Sequence, residues 1–241
     1  MAPFISVVIP GFNEEKRLPL TIERMINFNA SYGYSLEVMI VDDGSTDSTA
    51  ALSMKYANNH NFIKYLRAGN ENKGKGFAVK TGVMAASGDY VLICDADMST
   101  PIEEVDKLIK WIDEGFDLVI GSRALNGSEI KVAQPWYRTY MGKIFNRIVR
   151  SLVIDGIKDT QCGFKLIKKD VAKQLFNKIS LYGFSFDVEL LFIAKKVGFK
   201  IKEVPIVWEN DPESKVRMFA DSLVMVFDLI KIRINELRGC Y

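Results

Sequence analysis

The chain has 241 residues, of which 48% are hydrophobic and 26% charged, a composition typical of a folded globular protein rather than a disordered or fibrous one. Its 32 Lys and Arg residues nearly balance its 30 Asp and Glu residues, so no overall basic field indicates a nucleic-acid partner. The single histidine, His60, stands among asparagines, which predicts a solvated turn and excludes a multi-histidine metal site.

The three cysteines, Cys94, Cys162 and Cys240, are far apart and form no CxxC pair. Neither a disulfide framework nor a thiolate zinc site is therefore expected, and a reducing compartment is favoured. We expect no secretory signal at the first residues and no membrane span, because apolar residues never run uninterrupted for about 18 positions. The sequence predicts a protein that is soluble or bound to a membrane surface.

Strand-like and helix-like segments alternate through the first half of the chain. Apolar, β-branched runs predict strands over 5–9, 36–41, 63–66, 90–94 and 117–120. Apolar residues at helical spacing predict helices over 17–28, 46–58, 76–86 and 102–114. Strands separated by helices make βαβ units, so we expect a mostly parallel sheet with helices on both faces. Ligands bind such sheets beyond the carboxyl ends of the strands.

The second half begins with a long segment of aromatic and basic residues over 134–154. Such a mixture suits a helix that lies in the headgroup region of a membrane, and an amphipathic helix packed on the core is the alternative. Helices are predicted over 168–179, 186–197 and 221–237, and a strand over 201–207. No linker or internal repeat divides the chain, so one domain over 1–241 is expected.

Asp95 and Asp97 follow the strand predicted over 90–94. Residues two apart in an extended chain face the same way, so both carboxylates can point at one place beyond the sheet edge. A hard divalent cation, Mg²⁺ or Mn²⁺, shared with substrate phosphates is the usual reason to bring two carboxylates together. A solvated turn is an equal alternative, because Asp is frequent at strand ends.

Further polar loops are predicted at the same edge of the sheet. Residues 13–15, Asn-Glu-Glu, follow the first strand, and residues 42–45, Asp-Asp-Gly-Ser, follow the second. Alone, residues 42–45 are best explained as a turn that caps the next helix. Residues 72–76, Asn-Lys-Gly-Lys-Gly, bring cations and bare backbone N–H groups to a helix start, which suits a diphosphate. Together these loops predict a ligand crevice.

Two common nucleotide-binding motifs are excluded. Residues 69–75 have the spacing GxxxxGK, but Gly76 stands where a P-loop needs Ser or Thr. No GxGxxG follows the first strand, so a nicotinamide cofactor is not expected. Neither an ATPase nor a dehydrogenase is predicted.

The order and spacing of these motifs resemble the family-2 glycosyltransferases of GT-A fold. The resemblance is carried by 6–10 (Ser-Val-Val-Ile-Pro), 13–15, 41–47, 72–76 and 95–97. Further segments resemble one branch, the dolichyl-phosphate (polyprenyl-phosphate) sugar synthases, and in particular dolichyl-phosphate β-glucosyltransferases. These segments are 121–123 (Gly-Ser-Arg), 159–165 (Asp-Thr-Gln-Cys-Gly-Phe-Lys) and 213–215 (Glu-Ser-Lys).

The resemblance implies an α/β, GT-A (Rossmann-like) fold with a mostly parallel central sheet, helices on both faces and a C-terminal helical elaboration. Within the single domain, about 1–125 would bind the nucleotide sugar and about 126–241 would face the acceptor and the membrane. The implied activity is an inverting transfer of a sugar, which we expect to be glucose, from a UDP-sugar to dolichyl or polyprenyl phosphate. Mg²⁺ or Mn²⁺ is the implied cofactor, and a peripheral position on the cytoplasmic face of a membrane the implied location.

The resemblance also implies roles for single residues. Those expected to hold the sugar nucleotide are Pro10, Asn13, Glu14, Asp42, Asp43, Lys73, Gly74, Lys75, Gly76 and Asp95. The implied metal ligands are Asp95 and Asp97, with Asp97 the more direct. The implied catalytic residues are Asp97, Arg123 facing the acceptor phosphate, Gln161 beside the donor sugar, and Lys215 on a loop that closes over it.

Two positions depart from the mannose synthases of this branch. Those enzymes have a metal-binding Gln where this chain has Ser99, and an arginine where it has 209–211, Glu-Asn-Asp. Both departures favour a UDP-sugar over GDP-mannose. Three alternatives stay open: mannosyl transfer from GDP-mannose, a soluble family-2 enzyme acting on a polysaccharide hydroxyl with Asp159 as base, and a nucleotide-sugar-binding protein without turnover.

Overall fold

The computed structural model describes residues 3–211 and 218–241, with residues 218–221 described by their backbone alone. Its strands are, in chain order, β1 (Phe4–Gly11), β2 (Ser35–Asp42), β3 (Ile63–Arg67), β4 (Tyr90–Ile93), β5 (Leu118–Ser122), β6 (Glu129–Val132), β7 (Lys165–Lys168), β8 (Ile201–Pro205) and β9 (Val207–Glu209). Seven of them form one sheet in the order β3-β2-β1-β4-β7-β5-β8, and β6 pairs with β9.

The central sheet is parallel except at β7, which runs antiparallel to both of its neighbours, β4 and β5. The other pairs in the sheet are parallel. The predicted fold class, a mostly parallel sheet in an α/β protein, is therefore confirmed.

Helices cover both faces of the sheet. They are α1 (Leu18–Ser31), α2 (Thr49–Asn59), α3 (Lys75–Ala85), α4 (Val105–Asp113, after a 3-10 turn at Ile102–Glu104), α5 (Trp136–Leu152), α6 (Lys169–Lys178), α7 (Phe186–Val197) and α8 (Met218–Leu237). Side chains of α3, α5, α6, α7 and α8 form the core on one face, and those of α1 and α4 form it on the other.

Successive side chains of β1 point to opposite faces of the sheet, which shows why two cores form. Val7 and Ile9 belong to the core on the α1 face, whereas Val8 between them belongs to the core on the α3 face. Successive side chains of a strand point to opposite faces, so a strand buried on both sides must be apolar at every position. Each such side chain, when fully buried, contributes about 1.5–3 kcal/mol.

Four strands of the second half, β6 to β9, differ from the sequence expectations. β6 and β7 were not predicted, and the strand expected over 201–207 is divided at Ile206 into β8 and β9. β7 has the sequence Lys-Leu-Ile-Lys, whose first lysine, Lys165, is fully buried beside Asp187. A four-residue run with lysines at both ends carries no strand signal of its own, and its pairing with β4 and β5 decides its conformation.

The strand order places a crevice beside β1. The chain moves from β1 outward to β2 and β3, and then returns to the opposite side of β1 with β4. The loops after β1 and β4 therefore leave the sheet in different directions, which opens space at the carboxyl edge.

Candidate active site

The loops that follow β1 and β2 are joined at the carboxyl edge of the sheet. Asn13 N donates to Ser45 Oγ at 2.9 Å, and Thr46 N donates to Asn13 Oδ1 at 2.8 Å. Asp42 is fully buried and accepts from Ser45 N at 2.8 Å. Asn13 and Asp42 thus shape these loops, and neither side chain is part of the cavity lining described below.

Asp95 and Asp97 follow β4 and both line the cavity at this edge. Burial and the neighbouring charge of Asp95 raise the pKa of Asp97 above its ordinary value. Asp97 Oδ1 accepts from Ser99 N at 3.0 Å. Lys75 Nζ lies 2.6 Å from Asp95 Oδ1, but this buried oxygen makes no contact with the angles of a directed hydrogen bond. Lys75 thus balances part of the negative charge of the pair, and both carboxylates line the cavity, where they could hold a cation.

Lys75, the first residue of α3, is the cation of the 72–76 loop that faces the cavity. Burial alone would lower the pKa of Lys75, but the carboxylates of Asp95 and Asp187 raise it well above its ordinary value. Asp187, at the start of α7, lines the same cavity and forms an ion pair with the buried Lys165. The lysine therefore stays charged, between two carboxylates.

The sequence predicted backbone N–H groups without protein partners in this loop. For three of its residues this prediction was wrong. Lys73 N and Gly74 N donate to the carboxylate of Asp43, at 3.1 and 2.7 Å, and Gly76 N donates to Tyr182 O at 2.7 Å. These bonds hold the loop in place. Of the two lysine side chains of this loop, that of Lys75 lines the cavity and that of Lys73 does not.

Arg17 is a residue of this site that the sequence analysis did not select. Its Nε and NH2 atoms each donate to a carboxylate oxygen of Glu14 at 2.6 Å. Its NH1 atom lies 3.0 Å from Oδ2 of Asp211 and 3.7 Å from Oδ2 of Asp97. The signal that could have identified it is its i, i+3 spacing from Glu14 at a helix start.

The 159–165 segment brings the second half of the chain against the acidic pair. A Cβ atom added to Gly163 would overlap with the carboxylate of Asp95, so only glycine permits this approach. Gln161 lines the same cavity. The close approach of Gly163 to Asp95 thus brings Gln161, two residues earlier, to the wall of the cavity.

Arg123 is fixed in the cavity wall by Asp159. Its backbone N and its Nε donate to Asp159 Oδ2 at 2.9 and 2.7 Å, and its NH2 donates to Oδ1 at 2.8 Å. The guanidinium also lies over the Trp208 ring, 5.4 Å from its centroid. Burial alone would raise the pKa of Asp159, but Arg123 holds it below its ordinary value. Both carboxylate oxygens are engaged, so Asp159 is a poor candidate for a general base.

One cavity of about 1050 Å³ joins these groups. The predicted residues in its lining are Pro10, Glu14, Asp43, Gly74, Lys75, Asp95, Asp97, Arg123 and Gln161. Helix α5 adds Arg138, Lys143 and Asn146, and α8 adds Met225. Lys215 lies outside the described residues, and Lys73 and Gly76 are not in the lining.

The carboxylates of Asp95 and Asp97 are the hard oxygen donors that Mg²⁺ and Mn²⁺ prefer. Among the residues that the structure describes, no three His, Cys, Asp or Glu side chains converge in a way that could hold a metal ion. Two carboxylates fit a cation whose remaining ligands are substrate phosphates and water. The assignment of Asp95 and Asp97 as metal ligands stays a prediction.

Residues 6–176 match glycosyl transferase family 2. A mouse dolichyl-phosphate β-glucosyltransferase is 35% identical to this chain in an alignment 249 residues long. The alignment covers 98% of this chain and 77% of the mouse protein. The dolichyl-phosphate β-glucosyltransferase of Saccharomyces cerevisiae is 36% identical in an alignment 255 residues long, which covers 99% of this chain and 76% of the yeast protein.

Solved structures with a similar fold include the glucosyl-3-phosphoglycerate synthase of Mycobacterium tuberculosis in complex with Mn²⁺ and UDP-glucose. Its TM-score is 0.70 at 19% identity, over 97% of this chain and 78% of the mycobacterial one. The mannosyl-3-phosphoglycerate synthase of Rubrobacter xylanophilus has a TM-score of 0.70 at 18% identity, over 99% of this chain and 76% of that chain. At this identity the likeness concerns the fold.

Proposed function

This chain belongs to glycosyl transferase family 2, and on that premise we propose that it transfers glucose from UDP-glucose to dolichyl or polyprenyl phosphate. The observation that carries the proposal is the continuity of the cavity. It joins the Asp95–Asp97 pair, where a donor diphosphate would lie, to Arg123 and to the cationic side chains of α5.

A phosphate acceptor suits the groups that the site provides. A hydroxyl nucleophile requires a general base, whereas a phosphate monoester has a second pKa of about 6 and is already an anion at neutral pH. Asp159, the candidate base of the polysaccharide alternative, has both carboxylate oxygens engaged by Arg123. A fixed guanidinium that lines the cavity serves an anionic acceptor better than a hydroxyl.

We propose a direct displacement with inversion. An oxygen of the acceptor phosphate attacks the anomeric carbon of glucose as the bond from that carbon to the diphosphate oxygen breaks, and UDP leaves. Arg123 and Arg138 orient the acceptor phosphate, and Lys75 neutralises charge on the departing diphosphate. Asp97 and Asp95 would hold a Mg²⁺ or Mn²⁺ ion, which supplies further charge neutralisation at the leaving group.

The choice of a UDP-sugar follows from the two departures noted in the sequence. Ser99 has no side chain long enough to replace the Gln of mannose synthases, and its carbonyl accepts from Glu209 N at 2.7 Å. The two departing positions are therefore neighbours beside the acidic pair. Asp211 adds a further negative charge there, which Arg17 balances.

Helices α5 and α8 are proposed to place the site at a membrane surface. Each is anchored in the core on one side, α5 by Phe145 and Val149. The opposite sides are apolar and exposed, with Trp136 80% and Phe227 69% exposed. The larger set of exposed apolar residues comprises Tyr137, Tyr140, Ile144 and Leu152 of α5 and Leu223, Val224, Ile230, Ile234 and Leu237 of α8.

Such faces, bordered by Arg and Lys, suit the headgroup region of a bilayer. In the part of the chain that the structure describes, no helix combines the length and apolar character needed to cross a membrane. We propose a peripheral association with the cytoplasmic face of a membrane, reached through these helices. Flotation with anionic liposomes tests it, and recovery of all the protein in the aqueous fraction would contradict it.

The activity is tested by measuring release of nucleoside diphosphate from UDP-glucose, UDP-galactose and GDP-mannose, with and without polyprenyl phosphate and Mn²⁺. We expect release from UDP-glucose only when lipid phosphate and metal are both present. Release with a polysaccharide acceptor instead would support the hydroxyl-acceptor alternative. Binding of the donor without release under any condition would support a protein without turnover.

A further inference from the structure

Glu189 is a buried glutamate outside the cavity, and it holds the segment that packs against the 72–76 loop. Glu189 lies in the first turn of α7 and is fully buried. Its Oε2 atom accepts from Ser180 N at 3.0 Å and from Leu181 N at 2.8 Å. Its Oε1 atom accepts from Ser180 Oγ at 2.7 Å and from Tyr241 Oη at 2.6 Å. The carboxylate thus fixes the segment 180–181 by both backbone and side chain.

Helix α8 is part of the same network. Asn235 Nδ2 donates to Ser180 Oγ at 3.0 Å and to Tyr241 Oη at 3.2 Å. Each hydroxyl therefore accepts from Asn235 and donates to Glu189, which closes a ring of four side chains. In such rings the hydrogen bonds polarise one another, and the arrangement is rigid when every member is satisfied.

The segment fixed by Glu189 continues into direct contact with the 72–76 loop. The carbonyl of Tyr182 accepts from Gly76 N at 2.7 Å and from Phe77 N at 3.4 Å. A Cβ atom added to Gly76 would lie 2.7 Å from Cβ of Phe186, and one added to Gly74 would overlap with the Tyr182 carbonyl. The loop has no room to shift without displacement of this segment.

We propose that Glu189 is a positioning residue for donor binding, and this inference rests on the proposed function. It acts through Ser180–Leu181 and the Tyr182 carbonyl on the start of α3, where Lys75 faces the cavity. With the segment fixed, Lys75 is held in its binding position before the nucleotide arrives. If the segment is not fixed, part of the binding free energy must offset the cost of ordering the 72–76 loop, and the affinity for the nucleotide falls.

The test compares Glu189→Gln with Glu37→Gln. Glu37 is a matched control because it is also buried and also accepts from the backbone N and the Oγ of one serine, Ser87, but it lies on β2 near the amino end of β4. A glutamine has one acceptor oxygen, so it cannot serve all the donors that either carboxylate serves. Both variants are expected to unfold at lower temperature than the wild type.

The readout is the affinity for UDP with Mn²⁺, measured by calorimetry at a temperature where both variants are folded. Glu189→Gln is expected to raise the Kd for UDP about tenfold, and Glu37→Gln to leave it within about twofold. The KM for UDP-glucose should rise in parallel in Glu189→Gln, with the KM for polyprenyl phosphate unchanged. Equal UDP affinity in the two variants would overturn the inference, because a merely structural role predicts that result.

If Glu189→Gln does not fold, Tyr241→Phe replaces it, since this variant removes one donor to Glu189 and leaves both backbone bonds in place. UDP affinity at least about threefold weaker would support the inference, and wild-type affinity would overturn it. A different result would contradict the proposed function: wild-type protein that binds UDP but transfers no sugar to polyprenyl phosphate.

Discussion

The two ends of the central sheet are both built around buried charged groups, but in opposite ways. At the amino end, Glu37 accepts hydrogen bonds from Ser6 Oγ, Lys64 Nζ, and both the backbone and the hydroxyl of Ser87. Burial alone would raise the pKa of Glu37, but these hydrogen bonds lower it to about 2. Every oxygen of that carboxylate is satisfied within the protein.

At the carboxyl end, two carboxylates of like charge, Asp95 and Asp97, lie close together. Asp97 has a raised pKa because it is buried beside Asp95, and an oxygen of Asp95 lies against Lys75 without a directed hydrogen bond. Local structure alone would not favour this arrangement, since two like charges that are close together repel. The comparison shows that the carboxylate at the amino end is fully hydrogen-bonded within the protein, whereas the carboxylates at the carboxyl end lie close to one another at the cavity.

The largest effect is expected from Asp97→Ala, at the carboxyl end of β4. Removal of this carboxylate should lower the transfer rate about 10³-fold or more, because charge on the leaving diphosphate is no longer balanced. The melting temperature should not fall, since a repulsive neighbour of Asp95 is lost. Asp89→Ala, an exposed position at the amino end of the same strand, is the control and should retain activity. Near-normal turnover in Asp97→Ala would refute the assignment.

Gly163→Ala is expected to have the next largest effect. The new Cβ atom would overlap with the Asp95 carboxylate and push it from its place beside Lys75. We expect transfer to fall about 10²-fold, as a small misplacement of reacting groups can cost that much. Gly33→Ala, where nothing lies within 4 Å of the added atom, should be neutral. The rates and far-UV spectra of both variants check this.

Arg123→Lys should lower transfer about 10-fold or more while the positive charge is kept. Lysine cannot reproduce the paired hydrogen bonds to Asp159 or the planar contact with Trp208, so the cation is no longer fixed. The KM for polyprenyl phosphate should rise, and the affinity for UDP should stay unchanged. An effect on UDP affinity alone would place Arg123 on the donor side instead.

Glu37→Gln tests the amino end and should leave the rate per folded molecule unchanged. The loss of stability is expected to be about 1–3 kcal/mol at neutral pH, as hydrogen bonds to a buried carboxylate are lost. The folded-state pKa of about 2 lies below the ordinary 4.5, so this stabilisation is full above about pH 4.5 and is lost as the pH falls toward 2. Denaturation curves across this range should converge with the wild type at the acid end.

The sequence predicted the alternating elements of the first half well, because the central strands are apolar on both faces and α1 and α4 bury apolar residues at helical spacing. It also predicted that Asp95, Asp43 and Glu14 would meet at one edge, since parallel strands end together. The family and the fold class were confirmed. The division into donor and acceptor halves and the roles of the single site residues stay predictions.

Other features could not be read from the residues. The i, i+3 spacing is compatible with the contact between Arg17 and Glu14, but nothing in the sequence near Arg17 indicates its contact with Asp211, which is 194 residues away. The loop at 72–76 has the composition of an anion-binding loop, yet Asp43 and Tyr182 occupy three of its N–H groups. Contacts between distant segments decide both outcomes, and no local pattern encodes them.

Residue order by itself determined the parallel βαβ frame and the edge at which the polar loops gather, because apolar periodicity and strand direction are local properties. Only the tertiary structure decided that β7 enters the sheet antiparallel, that Gly163 lies against Asp95, and that Glu189 accepts hydrogen bonds from the backbone of Ser180 and Leu181. Each of these depends on the approach of different segments of the chain, where close packing leaves room for one arrangement and one set of hydrogen-bond partners.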